Sequence, residues 1–448
     1  MTRILIILLL LTGFTIQAQD KKSFSLEEAI EFALDNNKTA INARRDIAKA
    51  IKQKWETTAS GLPQIDGVID YQNQLKQPTA FIPAEFFGGE PGTFAPVVFG
   101  TQQNASATAT LTQLIFDGSY LVGLQAAKAF LDFSENSNEK TQLEIRKGVI
   151  NAYGSVLITR ENIIILNSNI ATVKKNLDET RIIFENGLAE EEDVEQLQIT
   201  YSQLLNQKVN AERLEGIAIQ MLNLAIGVDI ATDTQLTDTL TSLAKPGLGL
   251  FQDNPEIEKN VDYKIAYNLT EQRSLELKLE RSKALPSLRG FINVGTAAGR
   301  DTFDFFDSDQ RYFASSIFGL TLDVPLFSSG ARSARTQRAK IALDQAETDF
   351  EYAQEQIRLA YEQAKSQHQL AIDNLEVFKN NLSLAERIEQ KNQIKFKEGI
   401  ASSFELRQAQ TQLYSAQNSV LEAMLDMINS KAELETVLNT PDYRNTRN

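Results

Sequence analysis

The sequence of 448 residues has no cysteine. That excludes disulfides, thiolate metal sites, a cysteine nucleophile and a lipid on a processed N-terminal cysteine, so any anchoring must come from the fold itself. Histidine occurs once, at His368, which rules out histidine metal clusters and leaves no basis for a Ser-His-Asp triad. With Gln and Lys around it in a helical stretch, His368 reads as a solvated helix position. Only 4 methionines are present, unclustered, so soft-metal handling has no support. Basic residues are in the minority, 45 against 59 acids for a net charge of -14. No basic patch is available to grip phosphates, which argues against nucleic acid as a partner. Past the first residues no apolar run approaches the roughly 20 residues of a spanning helix. A chain that crosses a membrane without one has only a closed β-barrel to use.

What is present begins with Arg3, the apolar run Ile4 to Leu11 and the small residue Ala18. This is the pattern of a secretory signal peptide over residues 1–18, cleaved after Ala18 or Gln19. Residues 19–448 then read as one elongated domain that repeats itself. Leu62-Pro63-Gln64-Ile65-Asp66-Gly67 is echoed by Leu285-Pro286-Ser287-Leu288-Arg289-Gly290, and Leu111-Thr112-Gln113-Leu114-Ile115-Phe116 by Leu322-Asp323-Val324-Pro325-Leu326-Phe327. Phe184-Glu185-Asn186-Gly187-Leu188-Ala189 returns as Phe396-Lys397-Glu398-Gly399-Ile400-Ala401. Ordered matches of this kind indicate two structural repeats, about residues 25–228 and 263–440. The stretch between them, about 229–262, gathers Thr, Asp, Lys245-Pro246-Gly247 and Asn254-Pro255 and reads as a linker with short helices.

Hydrophobic period assigns the elements within each repeat. Ile65, Gly67, Ile69 and Tyr71 alternate with mostly polar neighbours, as do Ala105, Ala107, Ala109 and Leu111; Leu288, Gly290, Ile292, Val294 and Phe318, Leu320, Leu322, Val324 do so in the second half. These are four strands, each with one apolar and one more polar face. Strands spanning a membrane have this alternation over about 9–11 residues. Four strands cannot close a barrel, whose smallest size is about eight, so a spanning barrel requires several chains. Between Gly118 and Gly187 no proline interrupts a run of fair helix formers, enough for a helix of about 100 Å. Ala371, Leu375, Phe378, Leu382 and Ala385 step four, three, four and three residues apart, the coiled-coil spacing. Gly187 and Gly399 interrupt these helices where a C-cap needs φ > 0, marking two hairpin tips.

On these residues the chain resembles the TolC-type outer-membrane efflux family. The early Ser25-Leu26-Glu27-Glu28-Ala29 helix, the Leu-Pro strand openers and the two Gly-hydrophobic-Ala tips carry the likeness, with Leu114-Ile115-Phe116-Asp117-Gly118 and Val324-Pro325-Leu326-Phe327-Ser328 as strand-to-helix junctions. The resemblance covers about residues 25–440. It implies an α+β membrane protein: a homotrimer in outer-membrane lipid, four strands per chain forming a 12-stranded β-barrel, continued into the periplasm by a coiled-coil α-helical barrel. It implies the exit duct of a tripartite efflux or type I secretion system. Such a duct passively carries substrate from a periplasmic adaptor and inner-membrane pump to the outside, without catalysis, cofactor or metal. The competing reading is a soluble periplasmic coiled-coil scaffold, which accounts for the heptads and not for the strands.

The resemblance also carries a gate. The family's acidic gate positions, six and nine residues after the second tip glycine, fall on Glu405 and Gln408, and Asp193 holds the matching first-tip place. Glu190, Glu191 and Glu192 precede Asp193, and rings of such carboxylates at a constriction select and bind cations. The same run also suits a helix N-terminus, where each acid contributes about 0.3–1 kcal/mol. Gly187, Leu188, Ala189, Gly399, Ile400 and Ala401 are the expected adaptor contacts. The family's closing tyrosine and arginine positions hold Phe396 and Ala401, so that lock is missing. Lys395 or Lys397 is the expected substitute, pairing with first-tip carboxylates of a neighbouring hairpin. The long connection 73–103, with Phe81, Phe86, Phe87 and Phe94, is expected to face outside, either narrowing the mouth or joining an aromatic girdle.

Overall fold

The computed structural model describes residues 22–246, 250–251, 255–307 and 311–439; the expected leader at 1–18 lies outside them. In chain order the elements are β1 (Lys22–Phe24), α1 (Leu26–Asn36), α2 (Lys38–Ala59), β2 (Gln64–Asn73), β3 (Thr79–Pro83), β4 (Phe94–Val98), β5 (Gln103–Phe116), α3 (Gly118–Glu185), α4 (Glu191–Ile226), β6 (Thr234–Leu236), α5 (Leu240–Leu243), α6 (Val261–Ser282), β7 (Ser287–Arg300), β8 (Phe313–Asp323), α7 (Ala331–Lys397) and α8 (Ser403–Leu438). They form two compact units. One takes in the described residues of Met1–Ile47, Phe133–Tyr267 and Asp349–Asn448; the other is Ala48–Asp132 with Asn268–Thr348.

The second unit holds a four-stranded antiparallel sheet in the order β2-β5-β7-β8. Its register aligns the apolar positions of all four strands. Ile65 pairs with Leu111, Leu111 with Ile292 and Ile292 with Phe318, one continuous row across the sheet. The neighbouring row on the other face runs Asp66, Thr110, Asn293 and Ile317. Pairing that keeps period-2 sets in step puts one apolar and one more polar face on the whole sheet. Among the described residues nothing covers that apolar face at its edges, since Ile65 is 72% exposed, Ile69 87% and Phe318 71%. Among the described residues the outer edges of β2 and β8 carry no strand partner. Each sheet strand is joined to a helix at the same end by a short connection: α2 precedes β2, β5 leads to α3, α6 precedes β7, and β8 leads to α7.

The first unit is helical and owes its order to coiled-coil packing. α3 and α4 enclose Leu166, Val173, Leu204 and Ala211; α7 and α8 enclose Ala371, Leu375, Val420, Ala423 and Met427. One stretch of α3 is long and apolar enough to cross a membrane by composition alone. Val149, Tyr153 and Val156 of that helix are fully buried within the largest core cluster, with Ala29 and Ala33 of α1, Leu222 and Ile226 of α4 and Ile428 of α8.

Three local features differ from the reading of the sequence. The segment 229–262 contributes a strand, because β6 pairs in parallel with β1. Tyr153 anchors that pair, its hydroxyl 2.9 Å from the carbonyl of Phe24 and 3.0 Å from Oδ2 of Asp238. The connection 73–103 contains an antiparallel hairpin of β3 and β4 with Phe81, Phe86, Phe87 and Phe94 exposed. His368 is a correction: it is fully buried, not solvated. Its Nδ1 lies 3.0 Å from Ser430 Oγ, and its ring centroid 5.7 Å from that of Phe251. Burial holds its pKa below the usual imidazole value, helped by the charge of Lys431.

Candidate functional site

The two helical hairpin tips end their first helices in the same way. At the first, Gly187 adopts φ +77°, its N–H donates to Phe184 (2.8 Å) and Leu188 N–H to Ile183 (3.0 Å). At the second, Gly399 adopts φ +69°, its N–H donates to Phe396 (3.1 Å) and Ile400 N–H to Lys395 (2.8 Å). Both are Schellman caps, with a glycine at the left-handed position and the last free carbonyls satisfied. The caps turn apolar side chains outward, leaving Leu188 80% and Ile400 74% exposed. Ala189 and Ala401 beside them are half-buried.

The acidic residues that follow do different local work. Glu190 is the N-cap of α4 without a side-chain cap bond, and Glu191, Glu192 and Asp193 fill the first turn. Glu190, Glu191 and Glu192 are exposed, whereas Asp193 is half-buried. Four acids where a helix dipole is positive are stabilised by it. Glu192 also accepts from Gln196 Nε2 at 2.8 Å. Glu405, in contrast, is committed to a capping box: its carboxylate accepts from Ser402 N–H at 2.8 Å, and its own N–H donates to Ser402 Oγ at 3.3 Å. Gln408, exposed one turn on, lines an open groove between α4, α7 and α8 with Gln203, Phe404 and Arg407.

Lys397 has a partner within its own chain, Glu179 of α3, with Nζ and Oε2 3.4 Å apart. That carboxylate stands two turns before the first tip and outside the run Glu190–Asp193. Further along the two hairpins, Gln393 Nε2 donates to Asn176 Oδ1 at 3.4 Å, and Asn169 Nδ2 to Gln417 Oε1 at 2.9 Å. α3 is thus tied to α7 and α8 by polar groups, while each hairpin is held together by apolar ones. Beside this seam, burial raises the pKa of Glu389. Tyr414 is raised by burial and by the charge of Glu389. None of these polar seam residues was singled out from the sequence. Their signal is positional, because Gln410 and Gln417 continue the step of Leu406, Leu413 and Val420 along α8.

Among the described residues no group of three or more His, Asp or Glu is placed to hold a metal ion. The arrangement offers surfaces and fixed charge.

The model of the family described as outer membrane efflux protein matches residues 29–228 and 268–440. The chain is 22% identical over 340 residues to the alkaline protease secretion protein AprF of Pseudomonas aeruginosa, a match covering 73% of this chain and 68% of AprF. It is 23% identical to the outer membrane protein TolC of Vibrio cholerae over 345 residues, covering 75% and 76% of the two chains. Its fold is similar to the crystal structure of the outer membrane protein VceC from Vibrio cholerae, with a TM-score of 0.72, 15% identity and coverage of 92% and 95%.

Proposed function

The chain belongs to the outer membrane efflux protein family, and on that premise we propose that it is the outer-membrane exit duct of a tripartite efflux or type I secretion system. The observation that carries this is the sheet, whose aligned apolar row Ile65-Leu111-Ile292-Phe318 is exposed at Ile65, Ile292 and Phe318 and whose outer edges, on β2 and β8, have no strand partner among the described residues. An uncovered apolar face suits lipid, and unpaired edges in lipid are unaffordable. Three copies joined β8 to β2 give a closed 12-stranded barrel. The long helices, which leave the sheet at one end, then form the periplasmic helical barrel, each chain contributing two similar halves.

Substrate passes without chemistry, driven by an inner-membrane pump through a periplasmic adaptor. The exposed Leu188 and Ile400 at the capped tips suit adaptor contact, with Gly187, Ala189, Gly399 and Ala401 shaping the turns. Glu190, Glu191, Glu192 and Asp193, with Glu405 and Gln408, form an acidic collar at the gate. AprF is named for protease secretion, and which cargo this chain carries depends on its pump. Planar-bilayer recording tests the reading: discrete cation-favouring conductance is expected, and absence of channels from membrane-inserted protein refutes it.

A further inference from the structure

The unit containing the sheet is close to balanced in charge, but local basic clusters stand on two of its helices. In a protein of net charge -14, the end of α2 from Ala48 to Ala59 holds Lys49, Lys52 and Lys54 against Glu56 alone. The start of α7 holds Arg332, Arg335, Arg338 and Lys340 with no acid before Asp344. α6 differs, since Glu276 and Glu280 offset its bases and Glu280 is paired with Lys283 at 2.6 Å. The excess therefore sits on the two helices attached to the edge strands β2 and β8. Arg332 is spent on the junction, donating to the carbonyls of Pro325 and Leu326. Arg335, Arg338 and the lysines of α2 are exposed; the pKa of Glu280 is lowered chiefly by its hydrogen bond from Lys283, with smaller help from the charges of Arg335 and Arg338.

α2 also bears the only tryptophan. Trp55 is 62% exposed and Ile51, one turn earlier, 49%, an apolar stripe of two residues on one helix face. Ala50 is fully buried, and Gln53 and Thr57 line a pocket with α3 and α6. At about 100° per residue that packed face is roughly opposite the stripe, and Lys52 and Lys54 flank the stripe on either side. Trp at the edge of an apolar span, with basic side chains reaching past it, is the chemistry of a lipid headgroup boundary. The helix ends at Ala59 and the sheet begins at Gln64, which places the stripe at that boundary.

We propose that α2 and α7 form a binding site for anionic phospholipid headgroups in the periplasm-facing leaflet. The proposal rests on the trimeric-barrel reading, because joining β8 of one copy to β2 of the next brings α7 beside α2. The two basic stretches, on opposite edges of one chain, then meet at each junction between copies.

Trp55 is a built-in reporter. The full-length protein is incorporated into phosphatidylcholine vesicles containing phosphatidylglycerol, with bromine on the acyl chains of one lipid or the other, and insertion is scored by flotation. Brominated phosphatidylglycerol is expected to quench Trp55 with about fivefold preference at low salt, the scale of one basic residue near an anionic surface. The preference should collapse in high salt and in the variant Lys52→Gln/Lys54→Gln/Arg335→Gln/Arg338→Gln. Equal quenching by both lipids overturns the proposal, as does inserted protein quenched by neither, which places Trp55 against protein. Inorganic phosphate that abolishes the preference beyond sodium chloride of equal ionic strength overturns it too, identifying a free-anion site. Protein that fails to float defeats the barrel reading instead.

Discussion

Arg146 of α3 and Glu435 of α8 form an ion pair, Nη2 to Oε2 2.5 Å, with side chains only 8% and 2% exposed. Lys431, one turn before Glu435, lies 3.6 Å from its other oxygen. Removing one member of a buried pair strands a charge in low dielectric, at a cost of about 3–5 kcal/mol, whereas replacing both with apolar groups is close to neutral. Arg146→Met is therefore expected to lower the thermal midpoint in detergent sharply. Arg146→Met/Glu435→Leu should recover most of the loss, and an equal loss in both would show that packing, not charge, dominates.

The glycine caps make a local prediction. A Cβ at Gly187 or Gly399 meets nothing within 4 Å, so alanine there adds no clash and carries only the left-handed backbone penalty, about 1–2 kcal/mol. Gly187→Ala and Gly399→Ala should speed amide exchange around residues 184–188 and 396–400 and leave the global midpoint unchanged. A large drop in that midpoint would mean the tips are part of the cooperative core.

The strands and tips were legible in the sequence because each rests on a period or a backbone requirement: alternation in Ile65 to Tyr71, and φ > 0 at Gly187 and Gly399. β1 and β6 are three residues each, too short for any period to register. The β3–β4 hairpin carries Pro83 and Pro96, residues that argue against a strand when met in sequence. His368 was misread from its neighbours Gln367 and Gln369, although Tyr361, Ala364, His368, Ala371 and Leu375 step three, four, three, four along the buried seam. The heptad decided its burial, and local polarity did not. At the hairpin tips, partnership was not legible: Lys397 meets Glu179, a pairing that depends on how the two hairpins stand side by side.

Two titrations, of buried His368 and half-buried Glu389, act in opposite directions on stability. His368 has its pKa held below the ordinary 6.5 by burial. As pH falls below 6.5 the unfolded chain takes up a proton that the folded one refuses, so folding weakens. Glu389 is raised above its ordinary 4.5 by burial; as pH climbs past 4.5 the unfolded chain releases a proton that the folded one keeps, so stability from this group is lost upward. His368→Gln should flatten the decline of the midpoint below pH 6.5, and Glu389→Gln should raise the midpoint at neutral pH. Unaltered pH profiles would assign the dependence to other groups.

The acidic collar is tested by charge alone. Gln can replace Glu in a capping box, so Glu405→Gln keeps the start of α8 while removing a carboxylate. Glu190→Gln/Glu191→Gln/Glu192→Gln removes three per copy. Reversal potentials in a potassium chloride gradient should move toward zero for both, further for the triple variant. Unchanged potentials in both would place these carboxylates off the conduction path.

The trimeric barrel is tested most directly at the sheet edges, in a protein with no native cysteine to confuse the result. Ile69→Cys in β2 is combined in turn with cysteine at each position from Phe313 to Asp323 in β8, and the protein is oxidised in the membrane and run on a denaturing gel. A covalent trimer peaking at one or two β8 positions, with alternate positions weak, is the predicted pattern. Monomer at every position, from protein that stays in solution without detergent, contradicts the barrel.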